Sequence, residues 1–137
     1  MEDFSILFVD DEIEFLQTLL KRMKKRVSAA FGAANGDEAL SFLEDNRVDV
    51  VVLDVRMPGM DGIEVLREIK KRYPLIEVIM LTGHASMEVA IQGMDLGAFD
   101  YLMKPMDIDE LLYKVQDACQ SKALQEKKIE KIKSVLR

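Results

Sequence analysis

Residues 48–54 read Val48-Asp49-Val50-Val51-Val52-Leu53-Asp54, and the stretch Val50–Leu53 is apolar without alternation before it ends on a carboxylate. A strand with one wet face alternates apolar and polar residues. A strand covered by helices on both faces does not need to. The run Val48–Leu53 therefore predicts an interior strand of a parallel sheet. Working outward, four more short apolar runs are strand candidates: Ser5–Val9, Val27–Ala33, Ile76–Leu81 and Ala98–Met103.

Amphipathic segments fill the gaps. The first, Glu12–Arg26, places Ile13, Leu16, Leu19, Leu20 and Met23 on one face. It carries acids at its start and Lys24, Lys25 and Arg26 at its end, as a helix dipole favours. The second spans Asp37–Asn46, and the third covers Gly62–Arg72 and stops before Pro74. Ser86 is placed to cap a fourth helix that Gly97 closes. Asp107 with Glu110 three residues on reads as a capping box for the fifth. Strict alternation of strand and helix with short connections gives an α/β chain, a doubly wound parallel sheet of the (βα)5 type.

The composition agrees with one globular domain: 137 residues, 49% hydrophobic and 32% charged. No apolar stretch approaches the roughly 20 residues that span a bilayer, and the acidic start lacks the basic head of a secretory signal. The single Cys119 excludes an internal disulfide framework, fits a reducing cytoplasm and reads as a small buried residue on the fifth helix. With one His and one Cys, a zinc site built from these two residue types is implausible. The net charge of −6 is uneven: residues 122–137 carry six basic and two acidic residues, against 13 and 23 in residues 1–121. A body that acidic is not expected to bind nucleic acid directly.

In an open parallel sheet, ligands bind outside the carboxyl ends of the strands, near the point where strand order reverses. Asp10 and Asp11 follow the first strand, Asp54 the third, Thr82 the fourth, and Lys104-Pro105 the fifth. The second strand ends without an ionisable group, which suits an edge position in the order 2-1-3-4-5. Taken singly, an Asp after a strand caps a helix or forms a turn, and Lys104 is a surface charge. Taken together, these residues put three carboxylates and one ammonium at one rim. Such a cleft requires protonation or a cation to relieve repulsion, and a hard ion such as Mg²⁺ suits an open oxygen site. Asp54 can then act as a nucleophile toward a phosphoryl group, with Lys104 and the Thr82 hydroxyl on its oxygens.

These residues sit in the motifs Val9-Asp10-Asp11-Glu12, Leu53-Asp54-Val55-Arg56-Met57-Pro58-Gly59-Met60-Asp61-Gly62, Leu81-Thr82-Gly83-His84 and Lys104-Pro105. In that order and spacing the chain resembles the response-regulator receiver family over residues 4–121. The resemblance implies a flavodoxin-like fold with Asp54 as phosphoacceptor. Mg²⁺ would be held directly by Asp11, Asp54 and the Arg56 backbone carbonyl, and by Asp10 through water. It further implies a Lys104 ammonium paired with the phosphoryl group, a cis Lys104-Pro105 bond, and a switch coupling Thr82 to Tyr101. Without the resemblance, Tyr101 reads equally as a half-buried strand aromatic. Arg56 and His84 would bear on the lifetime of the modified state.

The implied partners are a histidine kinase or phosphotransfer protein as donor and a downstream effector as target. The switched surface would be the fourth helix, fifth strand and fifth helix. The chain would be a signalling domain rather than an enzyme turning over an external substrate. A Mg²⁺-dependent phosphatase with a strand-end Asp nucleophile is the alternative, although it would place a second Asp where Arg56 stands. A flavin-type binder would need a phosphate-cradling loop where Asp10-Asp11-Glu12 stands. Residues 1–121 are expected to form the receiver, and residues 122–137 a helical extension. If the last helix runs to Arg137, it is about 45 Å long. Leu111, Val115, Ala118, Lys122, Gln125, Ile129, Ile132 and Leu136 step by four and three along it, as in a coiled-coil seam. The basic tail is either a solvated face or a weak homodimer contact. The fourth-helix face is a second possible dimer surface.

Overall fold

The computed structural model describes residues 3–56, 61–83 and 87–136. Strands β1 (Ser5–Val9), β2 (Ala29–Ala33), β3 (Val50–Asp54), β4 (Glu77–Thr82) and β5 (Asp100–Met103) alternate with five helices. These are α1 (Ile13–Met23), α2 (Gly36–Asp45), α3 (Gly62–Arg72), α4 (Met87–Asp95) and α5 (Ile108–Leu136). All strand pairs are parallel, in the order β2-β1-β3-β4-β5. This is the expected doubly wound sheet, with β3 at its centre and β2 at an edge.

Successive side chains of a strand point to opposite faces, and here both faces are dry. Leu7, Val9, Val51, Leu53, Val78 and Met80 belong to one core with residues of α2 and α3. Ile6, Phe8, Val50, Val52, Ile79, Leu81 and Leu102 belong to a second core with residues of α1 and α5. Every residue of β3 is buried, which accounts for the absence of alternation in its sequence.

Strand β1 begins where its apolar run does; β2, β3, β4 and β5 begin later, and ahead of β2, β4 and β5 a leading residue is committed to a turn. The Val27 N–H donates to the Met23 carbonyl, Ile76 to Tyr73 and Ala98 to Gly93. These amides are unavailable to the sheet. The first helix stops at Met23, and Lys24–Arg26 form the turn beyond it. The second begins one residue early. Asn35 is its cap, accepting from the Glu38 N–H at 2.9 Å while its own amide donates to the Glu38 carboxylate at 3.0 Å. It resembles the capping box expected at the fifth helix, except that the side-chain amide of Asn35 rather than its backbone N–H reaches Glu38. There, Asp107 accepts from the Asp109 N–H at 3.0 Å. Ser86 lies outside the described residues.

Two glycines set the geometry at opposite ends of the sheet, Gly62 near the rim and Gly97 ahead of β5. A Cβ on Gly62 would sit 2.3 Å from the Val55 Cα, so only glycine lets the start of α3 press on the end of β3. Gly97 has φ +104° and closes α4, as a helix-ending glycine should.

Helix α5 has 29 residues, about 44 Å at 1.5 Å per residue. Its stripe Leu111, Val115, Ala118, Cys119 and Lys122 is buried against the domain. The first half of the apparent coiled-coil seam is thus ordinary packing within the chain. Lys122 does not interrupt an interface: its ammonium lies 3.1 Å from buried Asp49 at the start of β3. Beyond it, Ile132, Val135 and Leu136 are exposed. No helix among the described residues is long and apolar enough to cross a membrane.

Candidate functional site

Strand register brings the polar residues to one rim. Val9 is level with Leu53, Asp54 with Leu81, and Thr82 with Met103. The residues at or just past these positions are Asp10, Asp54, Thr82 and Lys104.

Asp10 is almost wholly buried. Its N–H donates to the Ala33 carbonyl at 3.1 Å, which keeps the turn out of β1 tied to the edge strand. One carboxylate oxygen accepts from the Glu12 N–H at 2.9 Å, and the other from the Lys104 ammonium at 2.8 Å. Asp54 is the last residue of β3 and is 5% exposed. Its Oδ1 accepts from the Arg56 N–H at 3.0 Å, and its Oδ2 lies 3.5 Å from the Lys104 Nζ. Lys104 also lies 3.3 Å from a Glu12 oxygen and 4.4 Å from the centroid of the Phe15 ring. It is held in register by its own N–H, which donates to the Thr82 carbonyl at 2.8 Å. The Lys104-Pro105 peptide is cis.

Thr82 is buried, and among the described residues its hydroxyl reaches the Leu102 carbonyl, at 3.4 Å. That is the long limit of a hydrogen bond, so the proton can be redirected at small cost. Tyr101 is partly buried at the margin of the α2–α3 core, and its N–H donates to Asp100 at 2.8 Å. Arg56 is exposed. Residues 57–60 and His84 lie outside the described residues.

The electrostatics are unbalanced. Burial raises the pKa of the Asp54 carboxyl above its ordinary value. The Arg56 N–H and the Lys104 charge oppose this, and Asp10 and Asp11 add to it. For Lys104, burial disfavours the charge, but the hydrogen bond to Asp10 and the charges of Asp54 and Asp10 outweigh it. Its pKa is raised. Negative charge remains in excess of what one ammonium neutralises.

Among the described residues, Asp10, Glu12 and Asp54 offer carboxylate oxygens within 4.8 Å of one another. Hard, anionic oxygen donors at that spacing fit a small divalent cation with retained waters. Asp11 is near enough to act on Asp54 through its charge but is not in that trio. Glu12, within the trio, is a candidate ligand that the sequence reading does not name. Its signal was present in the third acid of Asp10-Asp11-Glu12, which had been absorbed into the helix start.

Comparison with known proteins follows the same line. The family model for the response regulator receiver domain matches residues 6–116. The chain is 46% identical over 84 residues to the DNA-binding transcriptional regulator NtrC of Salmonella typhimurium, covering 61% of this chain and 18% of that protein. It is 35% identical over 132 residues to a putative response regulator, NtrX-like, of Rickettsia felis, covering 95% and 28%. A solved response regulator receiver domain protein from Clostridium thermocellum superposes with a TM-score of 0.84 at 38% identity. That match covers 89% of this chain and 98% of the other. The chain spans less than a third of the length of these two curated relatives.

Proposed function

The chain belongs to the response regulator receiver domain family, and we propose that it accepts a phosphoryl group on Asp54 with Mg²⁺ bound beside it. The observation that carries this reading is the meeting of buried Asp10, buried Asp54 and the Lys104 ammonium at one rim of the sheet.

The chemistry follows from the groups. An Asp54 oxygen forms a bond to phosphorus as the donor's P–N or acyl P–O bond breaks, and the leaving imidazole or carboxylate departs with the electron pair. The Arg56 N–H on Oδ1 and the Lys104 ammonium beyond Oδ2 orient the nucleophile. Lys104 then shifts its hydrogen bond from Asp10 to a phosphoryl oxygen, and the Thr82 hydroxyl turns from Leu102 to another. Mg²⁺, assigned to Asp10, Asp11, Asp54 and the Arg56 carbonyl with Glu12 adjoining, supplies charge neutralisation for the phosphoryl oxygens.

The switch is a two-state element biased by that new charge. Thr82 and Tyr101 are assigned to it, and the surface it alters is α4, β5 and α5, where Met87, Ile91, Met94 and Tyr113 are exposed. The donor is a histidine kinase or phosphotransfer protein in the cytoplasm, and an effector reads the altered face. The relatives named as transcriptional regulators make gene control a reasonable output for a longer protein. In the proposed organisation, residues 1–121 are the receiver and residues 122–137 an extension joining it to the effector or to a second copy. No turnover of an external substrate is assigned.

The test is labelling with a small acyl phosphate and Mg²⁺, comparing the wild type with Asp54→Asn. The variant should take no stable label. A label that persists in it would show that another residue accepts the phosphoryl group.

A further inference from the structure

We infer that Phe15 is a positioning residue for Lys104, holding its ammonium over the cleft whenever the neighbouring carboxylates are engaged elsewhere. The inference rests on the reading of Lys104 as the residue that meets the phosphoryl group.

Among the described residues, the neighbours of the Lys104 Nζ differ in kind. Asp10 at 2.8 Å, Glu12 at 3.3 Å and Asp54 at 3.5 Å are all carboxylates, and all three belong to the group whose oxygens could hold a cation. A cation or a phosphoryl group entering the cleft draws on those oxygens and weakens their hold on the lysine. Phe15 is neutral and offers no ligand atom. Its ring face lies 4.4 Å from the ammonium, well inside the range of a cation–π contact. The ring is fixed from behind, because Phe15 packs against the core formed by α1, α5 and the sheet.

A lysine has a flexible four-carbon stem with much rotamer freedom. Left to solvent, it would sample many positions away from the phosphoryl site. An aromatic face narrows that freedom without adding negative charge to a cleft already in excess, and without competing for a cation. Among these neighbours, Phe15 is the contact that survives a change of ligand state. The placement is also local to the fold. The aromatic ring lies in the first turn of α1, five residues after Asp10 in sequence and beside Lys104 at the end of β5 in space.

The test has two arms. In metal-free protein, NMR should show the ε-methylene protons of Lys104 displaced upfield by the ring current. Phe15→Leu, which keeps apolar volume, should abolish the displacement, and Phe15→Trp should retain or enlarge it. In labelling by acetyl phosphate with Mg²⁺, Phe15→Leu should lower the rate constant at saturating donor by about two- to fivefold, the range expected of an exposed cation–π contact. The half-saturating donor concentration should hold, Phe15→Trp should restore the rate, and Phe15→Leu should have no added effect in a Lys104→Ala background. Equal lysine spectra in the Leu and Trp variants, or an undiminished loss of rate in the Lys104→Ala background, would overturn the inference. Failure of the underlying reading looks different: the wild type would carry no label on Asp54, while the spectral arm would still report on the Phe15 contact.

Discussion

The two ends of the sheet each hold a lysine against buried carboxylate, and they are built to opposite purposes. At the amino-terminal end, Lys122 meets Asp49 at 3.1 Å and Glu126 at 3.2 Å. Asp49 also accepts from the Ser5 N–H at 2.9 Å and has Arg47 at 3.5 Å. Cations and anions are matched there, and the pair ties α5 to β1 and β3. At the carboxyl-terminal end, among the described residues, Lys104 alone serves Asp10, Glu12 and Asp54, and Asp54 is held above its ordinary pKa by burial. The two clusters are joined by β3, which runs from Asp49 to Asp54 over about 17 Å at the usual rise. A balanced buried pair fixes a structure. An unbalanced one is poised to take up charge.

The comparison breaks first at Lys122. Lys122→Ala takes the nearer cation from buried Asp49 and leaves it the exposed Arg47 at 3.5 Å, and should cost about 3 kcal/mol in urea unfolding. Mg²⁺ should not restore it. Replacing both partners, with Asp49→Leu and Lys122→Met, should recover most of the loss, because two apolar groups leave no orphaned charge. Lys104→Ala should also destabilise the metal-free protein, but here added Mg²⁺ should restore the unfolding midpoint. Equal responses of the two variants to Mg²⁺ would erase the distinction between the two ends.

A smaller effect separates the charges of the rim by pH. The folded protein binds the Asp54 proton more tightly than the unfolded chain does. Stability therefore falls as pH rises from about 3.8, the ordinary value, through the raised one. Above the raised value the metal-free protein bears that penalty in full, and Asp54→Asn should raise its melting temperature there and not at strongly acid pH. Lys104 acts in the other window. Its contribution is complete below 10.5 and is lost as pH rises through its raised value. A melting temperature for Asp54→Asn that matches wild type at every pH would contradict this assignment.

Much of this was legible in the sequence, for definite reasons. The unbroken apolar run of β3 announced a strand covered on both faces. The polar residues after β1, β3, β4 and β5 announced the rim, because chain order in a parallel sheet sends every strand end to the same side. What was not legible required knowing which side chains cross between elements. Lys122 looked like a break in a seam because nothing in its neighbourhood of the chain reveals Asp49, which lies 73 positions away. Glu12 reads as the ordinary start of an amphipathic helix, and nothing near Glu12 or Phe15 in the chain reveals Lys104, which meets both. Strand starts were misplaced where an apolar residue gives its N–H to a turn.

The smallest expected effect lies in the extension. Ile132, Val135 and Leu136 are exposed, so Ile132→Glu with Leu136→Glu should change unfolding of the monomer by less than about 0.5 kcal/mol. If the extension joins two copies, light scattering should show the same double variant with the smaller mass at a concentration where the wild type is dimeric.

The central claim is that an acidic cleft with one ammonium becomes a phosphoryl acceptor at Asp54 when a divalent cation enters. Peptide mapping of protein treated with acetyl phosphate tests it most directly, with and without a metal chelator. The account predicts a single modified peptide containing Asp54, present with Mg²⁺ and lost with the chelator. Modification mapped to Asp10, Asp11 or Asp61, or labelling of Asp54 indifferent to the chelator, would contradict it.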